Sequence, residues 1–502
     1  VEATEAHKIG FGGRQIAGWI LGPLFLLLPL LLPAPEGLGE AGWRTVGVAA
    51  LMATWWICEP IPIPVTSLLP MVLFPLLHIF TIGETTAPYA NPVIYLFLGG
   101  FLIALAMERW KLHLRIALNI ISLVGTKPTR IVGGFMIATA AISMWVSNTA
   151  TALMMLPIAL SVANLVEAEA HDEKSRAEAK TFSLVLLLSV AYSATIGALG
   201  TIISTPPSVM LAAFVSQTYG FQIGFAQWMM VGIPMVMLGI PIAWLLFTRV
   251  IFKVSNVEVA KVGESLAEER SRLGPISKAE RLVAIIFAMT AIAWIFQPFL
   301  ARFVPLISDT GIALMAGFLL FITPVDLRRG EFLMNWQTAK KLPWDVFLLF
   351  GGGLSLAAAI GAHGVATWIG TIFDGAGGVS TFLLIVMVSA FILAVTELNS
   401  NTATAATFLP IIGAVAVSTG ENPLLLLIPT AMAANCTFML PVATPPNAIA
   451  FGSGKIPLPQ MARAGVWFNL TFLVLIVVVV YVLVPVAFGI EKGVLPDFPK
   501  GL

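Results

Sequence analysis

Two copies of one polar tripeptide, Ser147-Asn148-Thr149 in WVSNTATALMMLPI and Ser400-Asn401-Thr402 in LNSNTATAATFLPI, lie inside stretches otherwise apolar enough to cross a bilayer. Polar groups are expensive at membrane depth, so a repeated set of hydroxyls and amides there points to a polar task. Each copy is followed by a Thr-Pro-Pro, at Thr205-Pro206-Pro207 and at Thr444-Pro445-Pro446. Where a helix stops and restarts in a bilayer, carbonyls at the end of one half and N–H groups at the start of the next lose their partners. The carbonyl ends, with Ser, Thr and Asn oxygens, are hard neutral ligands for a weakly held monovalent cation. The N–H ends carry the positive end of the helix dipole and favour a carboxylate, sulfate or phosphate oxygen. Proline lacks an N–H and interrupts a regular helix, which leaves carbonyls free to coordinate and a kinked backbone to line a cavity. A lone Ser-Asn-Thr more often serves only to hydrogen-bond a neighbouring helix; duplication with a matched Thr-Pro-Pro reverses that balance.

The elements that must hold these residues are membrane helices. Of 502 residues, 58% are hydrophobic and 11% charged, and the mean hydropathy is +0.94, so the chain cannot cover itself with polar surface and reads as polytopic and integral. A formal charge of +1 supplies no basic patch for a nucleic acid. Spans are expected at 16–33, 45–58, 64–80, 93–107, 131–165, 182–215, 226–252, 282–300, 307–323, 346–373, 379–412, 424–452 and 465–489. The stretches 131–165, 379–412 and 424–452 are too long for one regular crossing and are interrupted by the motifs, so broken helices are expected there. The run Ile16–Leu32 follows Lys8 and Arg14, lacks a small-residue cleavage site and reads as the first transmembrane helix. Lys253 to Arg281 has the densest charge of both signs; its many Lys and Arg put it, with the basic N-terminus, in the cytoplasm.

A second repeat signal strengthens the first. Leu96-Phe97-Leu98-Gly99-Gly100-Phe101 resembles Leu348-Leu349-Phe350-Gly351-Gly352-Gly353, each ahead of its own Ser-Asn-Thr. The glycines suit either close helix packing or hairpin tips. An odd number of spans between copies would invert one repeat relative to the other, the arrangement that lets one site face either side in turn; the span count leaves that parity open. Glu397 and Glu108 are acids at or near membrane depth, each suited to carrying a proton, to a structural hydrogen bond or to a helix end. Cys58 and Cys436 sit in apolar surroundings and are assigned neither a disulfide nor a metal. His7, His78, His113, His171 and His363 are scattered without ligand spacing, and no nucleophile is paired with a base, so an enzyme is not expected.

EPIPIPVTSLLP at Glu59–Pro70, the paired SNTAT motifs and ATPPNAI at Ala443–Ile449 together resemble the divalent anion/sodium symporter family over nearly the whole chain. The resemblance implies an all-α polytopic fold: an inverted-repeat, elevator-type transporter with re-entrant hairpins and broken helices, working as a homodimer. Its hairpins would lie near 93–127 and 344–376. The implied division is 1–92 for N-terminal scaffold helices, 93–225 for the first-repeat transport part, and 226–343 for scaffold helices with a linker at about 253–281. The second-repeat transport part follows at 344–464, then a C-terminal helix and tail at 465–502. One sodium site would use Ser143, Ser147, Asn148 and the carbonyl of Ser204; its repeat mate would use Thr396, Ser400, Asn401 and the carbonyl of Ala443. The substrate would meet Ser147, Asn148, Thr149, Ser400, Asn401 and Thr402, with Thr205, Thr444 and Pro445 close by. Ser204 and Ser208 stand where the family commonly has Gly and Asn, so the first cation site is where geometry and selectivity are expected to depart.

The expected activity is import of a dicarboxylate of the succinate, malate or fumarate type, coupled to sodium and needing no cofactor, in the bacterial inner membrane. No Arg or Lys lies in either motif to discriminate among anions. Citrate and then sulfate follow as substrates, and a sodium-independent dicarboxylate exchanger is the rival mechanism.

Overall fold

The computed structural model describes residues 12–125, 127–254, 260–372 and 379–496. His7, Lys8, the ends of the expected 1–92 and 465–502 units, linker residues 255–259 and the last part of the expected 344–376 hairpin lie outside the described residues. In chain order, the first unit holds α1 (Gly13–Leu31) and α2 (Glu40–Cys58), then short α3 (Ile63–Thr66), α4 (Leu69–Leu76) and α5 (Ile82–Thr86). Next come α6 (Pro92–Arg109), α7 (Leu112–Val124), α8 (Pro128–Ser143), α9 (Asn148–Ala168), α10 (Glu173–Gly197) and α11 (Pro206–Tyr219). The middle holds α12 (Phe225–Leu245), α13 (Ala260–Arg272), α14 (Lys278–Ile295), α15 (Gln297–Leu300) and α16 (Asp309–Ile322). A two-stranded ribbon, β1 (Pro324–Asp326) with β2 (Glu331–Phe332), and α17 (Trp336–Ala339) close it. The last part repeats the second: α18 (Trp344–Ala362), α19 (Val365–Ile372), α20 (Thr381–Thr396), α21 (Asn401–Ser418), α22 (Leu424–Asn435) and α23 (Pro445–Phe451), with α24 (Leu458–Phe488) at the end. Eight of the described helices are long and apolar enough to cross a membrane.

Contacts between the helices fix their directions. Trp228 of α12 donates to the Leu199 carbonyl just past α10, and Phe247 beyond α12 packs on Tyr192, so α10 and α12 are antiparallel. Ser183, early in α10, donates to Ala163 late in α9, while Ser143, the last residue of α8, donates to Ala194 late in α10. Trp244, near the end of α12, donates to the Thr129 carbonyl at the start of α8 (2.7 Å). α8 and α9 therefore form a re-entrant hairpin with both feet at the linker face and Ser147-Asn148-Thr149 at its tip. In the second repeat, the Thr381 hydroxyl at the start of α20 donates to Glu421, just past α21, so α20 and α21 also share a foot, and Ser400-Asn401-Thr402 is that tip. Helix α24 starts beside the first foot, where Lys455 pairs with Glu167 (2.6 Å), and ends beside the second, where Gly493 N–H donates to Glu421 (3.1 Å). The hairpins enter from opposite faces, and the repeats are inverted, which supplies the parity that span counting could not.

The expected hairpins at 93–127 and 344–376 are not the hairpins. α6 crosses from Thr310, which donates to its Pro92 carbonyl, to Leu333, whose carbonyl accepts from Trp110. α7 then lies at the linker face, where Arg115 binds the carbonyls of Leu273, Gly274 and Pro275. α18 likewise crosses to His363, whose Nε2 is 2.9 Å from the Ile79 carbonyl, and α19 follows at that face. Lys111, at φ 57°, turns the chain between α6 and α7, a local kink that apolar run length does not register. The glycine clusters are packing positions: a Cβ on Gly99 would stand 2.5 Å from the Ala313 backbone, and one on Gly352 2.3 Å from the Ser67 carbonyl.

Arg115 also pairs with Glu280 at the start of α14 (2.8 Å), with 16% and 6% of the two side chains exposed. Removing one partner of a buried pair strands the other, at a cost of about 3 kcal/mol. Glu280→Ala is expected to lower the melting temperature of the detergent-solubilised protein in sodium-free buffer and in sodium by the same amount, read by thermal unfolding.

Candidate functional site

Four helices begin at the centre of the molecule, and each start is written in its own sequence. Ser147 is the N-cap of α9, its hydroxyl accepting from Ala150 N–H (3.3 Å), and Ser400 is the N-cap of α21. Thr205 and Thr444 are the N-caps of α11 and α23, extended at φ −137° and −140°. Pro206, Pro207, Pro445 and Pro446 occupy the first two positions of those helices. The expectation of a kinked helix is corrected here: the prolines start a helix where no N–H partner is needed. All four starts face one cavity of about 860 Å³, lined by residues 147–150, Pro206, Pro207, residues 400–402, Asn435 and residues 443–445. The dipoles of all four helices therefore converge on one volume, and α9 and α21, which do not start on proline, add first-turn N–H groups, an environment for an anion.

Of the expected substrate residues, Ser147, Asn148, Thr149, Ser400, Asn401, Thr402, Thr444 and Pro445 line the cavity. Thr205 stands behind the wall, fully buried, its Oγ1 accepting from Asn435 Nδ2 (2.9 Å) and lying 3.0 Å from Ser208 Oγ. Asn435, on the second repeat, thereby reaches the first repeat's Thr-Pro-Pro. Sequence reasoning missed it, although an Asn closing the apolar run of α22 was a signal. Charge also reaches the cavity from outside the motifs: Glu108, Lys341 and Asp345 line its linker-face side, so a lysine borders the site although neither motif holds one.

The carbonyl ends lie behind the helix starts. Thr396, the last residue of α20, donates to the Ala434 carbonyl (3.0 Å), and its hydroxyl and that of Thr437 each lie 3.5 Å from Asn401 Oδ1. The same Oδ1 stands 3.3 Å from the Ala434 carbonyl and 3.0 Å from that of Ala443. Amide and carbonyl oxygens facing each other at that range repel. Turned over, the amide satisfies both, its NH2 donating to the two carbonyls. The structure thus brings Thr396, Asn401 and the Ala443 carbonyl together, with Thr437 beside them, as a cluster of neutral oxygens of the kind that suits a monovalent cation. In the first half Ser143 makes the matching contact, its hydroxyl donating to Ala194 (2.6 Å), and Thr149 donates to Asn148 Oδ1 (3.3 Å).

Glu397 is buried and stands outside the cavity lining. Its carboxylate accepts from the N–H groups of Phe438 (2.8 Å), Met439 (3.1 Å) and Leu440 (3.3 Å) and from Asn469 Nδ2 of α24 (2.7 Å). The acid therefore clamps the unwound segment between α22 and α23. Of the three roles open from the sequence, the structural one is occupied. Tyr192 of the first repeat adds a bond to the same segment, donating to the Phe438 carbonyl.

A family model described as the sodium:sulfate symporter transmembrane region matches residues 15–487. The chain is 42% identical over 493 residues to the sodium-dependent dicarboxylate transporter SdcS of Staphylococcus saprophyticus, covering 97% of this chain and 94% of that protein. It is 44% identical over 498 residues to SdcS of Staphylococcus aureus strain USA300, covering 97% and 95%. Among solved structures it is similar to the YdaH transporter of Alcanivorax borkumensis, with TM-score 0.59 and 13% identity, covering 95% of this chain and 99% of that one. MtrF of Neisseria gonorrhoeae, from a class of antimetabolite efflux pumps, gives TM-score 0.55 and 12% identity, covering 94% and 96%. At those identities the two structures speak for the fold alone.

Proposed function

The chain belongs to the sodium:sulfate symporter transmembrane family as an integral, multi-pass membrane protein, and from that membership we propose that it imports C4-dicarboxylates together with sodium ions. The carrying observation is the central cavity of about 860 Å³, where four helix N-termini meet and carbonyl ends stand behind them. The volume lies in the range of small-molecule sites. The N–H ends take the two carboxylates at Asn148, Thr149, Asn401 and Thr402, and the oxygens behind them take sodium. Ser143, Ser147, Asn148 and the Ser204 carbonyl form one cation half-site; Thr396, Ser400, Asn401 and the Ala443 carbonyl form the other. The names of the SdcS relatives, sodium-dependent dicarboxylate transporters, support both sodium coupling and the substrate class. The chain acts as a carrier without catalysis or a cofactor. The inverted hairpins support alternating access; an elevator motion of the transport parts against the scaffold, in a homodimer, is the form of it that the family resemblance implies.

Uptake of labelled succinate into proteoliposomes tests the reading. Sodium outside is expected to drive accumulation that choline does not. Sodium charge in excess of substrate charge makes uptake respond to an imposed potential, worth ~2.3 kcal/mol per 100 mV for each net charge moved. Equal rates in sodium and choline, with a requirement for internal dicarboxylate, would make the protein an exchanger. Citrate and sulfate in the same assay fix the substrate.

A further inference from the structure

The two helix breaks are braced from opposite sides of their Thr-Pro-Pro. In the second half Asn447, three residues after Thr444, donates from Nδ2 to the carbonyls of Thr437 and Leu440, both at 3.2 Å. The matching residue after Thr205 is Ser208, whose shorter side chain meets Thr205 Oγ1 at 3.0 Å. The carbonyls of the first half that match Thr437 and Leu440, counted back from the motif threonine, are Ala198 and Thr201. These two are met from the other side, by Ser204, the residue just before Thr205: its hydroxyl donates to Ala198, with the Thr201 carbonyl 2.9 Å away. The second half has Ala443 at that place, with no side-chain donor. The exchange is reciprocal, and both braces are buried, Ser204 at 1% and Asn447 at 0% exposure.

We propose that Ser204 is a positioning residue for the first cation half-site, its hydroxyl replacing the brace that Asn447 supplies in the second. The inference rests on the sodium reading above. The Ser204 carbonyl belongs to the proposed cation set, and its direction is set by the segment that the Ser204 hydroxyl ties down. An amide offers two protons and satisfies both carbonyls together, whereas a hydroxyl offers one and satisfies them in turn. The first-half segment is therefore held by half as many donated protons, and the first half-site is the softer of the two.

The test is a pair of reciprocal grafts, read as thermal stabilisation of the full-length purified protein by sodium, with choline replacing sodium at constant ionic strength. Ser204→Ala is expected to raise the sodium concentration for half-maximal stabilisation about tenfold, the usual scale for losing a group that orients a ligand. Ser204→Ala with Ser208→Asn is expected to return it close to wild type. Asn447→Ser is expected to weaken the sodium response in the same way, and Ala443→Ser with Asn447→Ser to recover it, so one graft decides the matter should the other fail to fold. Double variants no better than the single ones would overturn the inference. So would a Ser204→Ala protein that melts lower in choline yet keeps the wild-type sodium concentration, since that is the behaviour of a merely structural group. A wild-type protein that sodium does not stabilise would overturn the sodium reading on which the inference rests, a result distinct from both of these.

Discussion

Asn401→Ala is expected to remove sodium-dependent and succinate-dependent thermal stabilisation together and to bring sodium-driven uptake to the level of empty liposomes. Asn401 is the first residue of α21 and borders the cavity, so its removal alters the helix start that faces the anion. Its amide is also the point on which the oxygens of Thr396, Thr437, Ala434 and Ala443 converge. With sodium at a hundred times its dissociation constant, the wild-type protein gains ~2.7 kcal/mol from binding, and the variant forfeits that gain. Thermal shift in sodium against choline, each with and without succinate, measures it. A variant that keeps either response takes Asn401 out of that half of the site.

Glu397→Ala is expected to be the most damaging single change at a residue that does not touch the cavity. The carboxylate meets the N–H groups of buried Phe438 and half-buried Met439 and Leu440 and the amide of half-buried Asn469, and alanine would leave all four donors without that acceptor. An unsatisfied buried donor costs about 1–3 kcal/mol, so the group as a whole is worth at least ~3 kcal/mol even after relaxation. Glu397→Gln keeps the Oε1 position as an acceptor but turns an NH2 toward the Leu440 N–H. It should fold, with a weaker sodium response and a smaller loss of melting temperature. A proton carrier would behave otherwise: Gln would fold at full stability and abolish the pH dependence of transport. Comparing the two variants by melting temperature and by uptake across pH separates the roles.

What could be read before any coordinates was local. A helix start is encoded by the residues that cap it, so the paired Ser-Asn-Thr motifs announced two helix N-termini and their duplication announced the repeat, whereas Thr-Pro-Pro was expected to kink a helix and instead starts one. Of the residues placed around the two breaks by family resemblance, both Ser-Asn-Thr tripeptides, Thr444 and Pro445 line the cavity, whereas Thr205 stands behind its wall. Hairpin placement was missed because an apolar run has no direction. In lipid nearly every face of a helix is apolar, so the periodicity that separates core from surface in water is faint, and the stretch 131–165 looks alike whether the chain crosses or turns back.

Composition and motif order thus carried the membrane setting and the repeat, because each depends on residues close together in the chain. The fold chose the partners that come from far away. It placed both feet of each hairpin on one face, brought Asn435 to Thr205 across the repeats, set Thr437 beside Asn401 and tied Glu397 to Asn469. It also delivered Lys341 to a cavity whose motifs hold no cation, and chose the side from which each helix break is braced. Buried polar groups must find partners wherever packing puts them, and packing brings together residues between which the order of the chain shows no link.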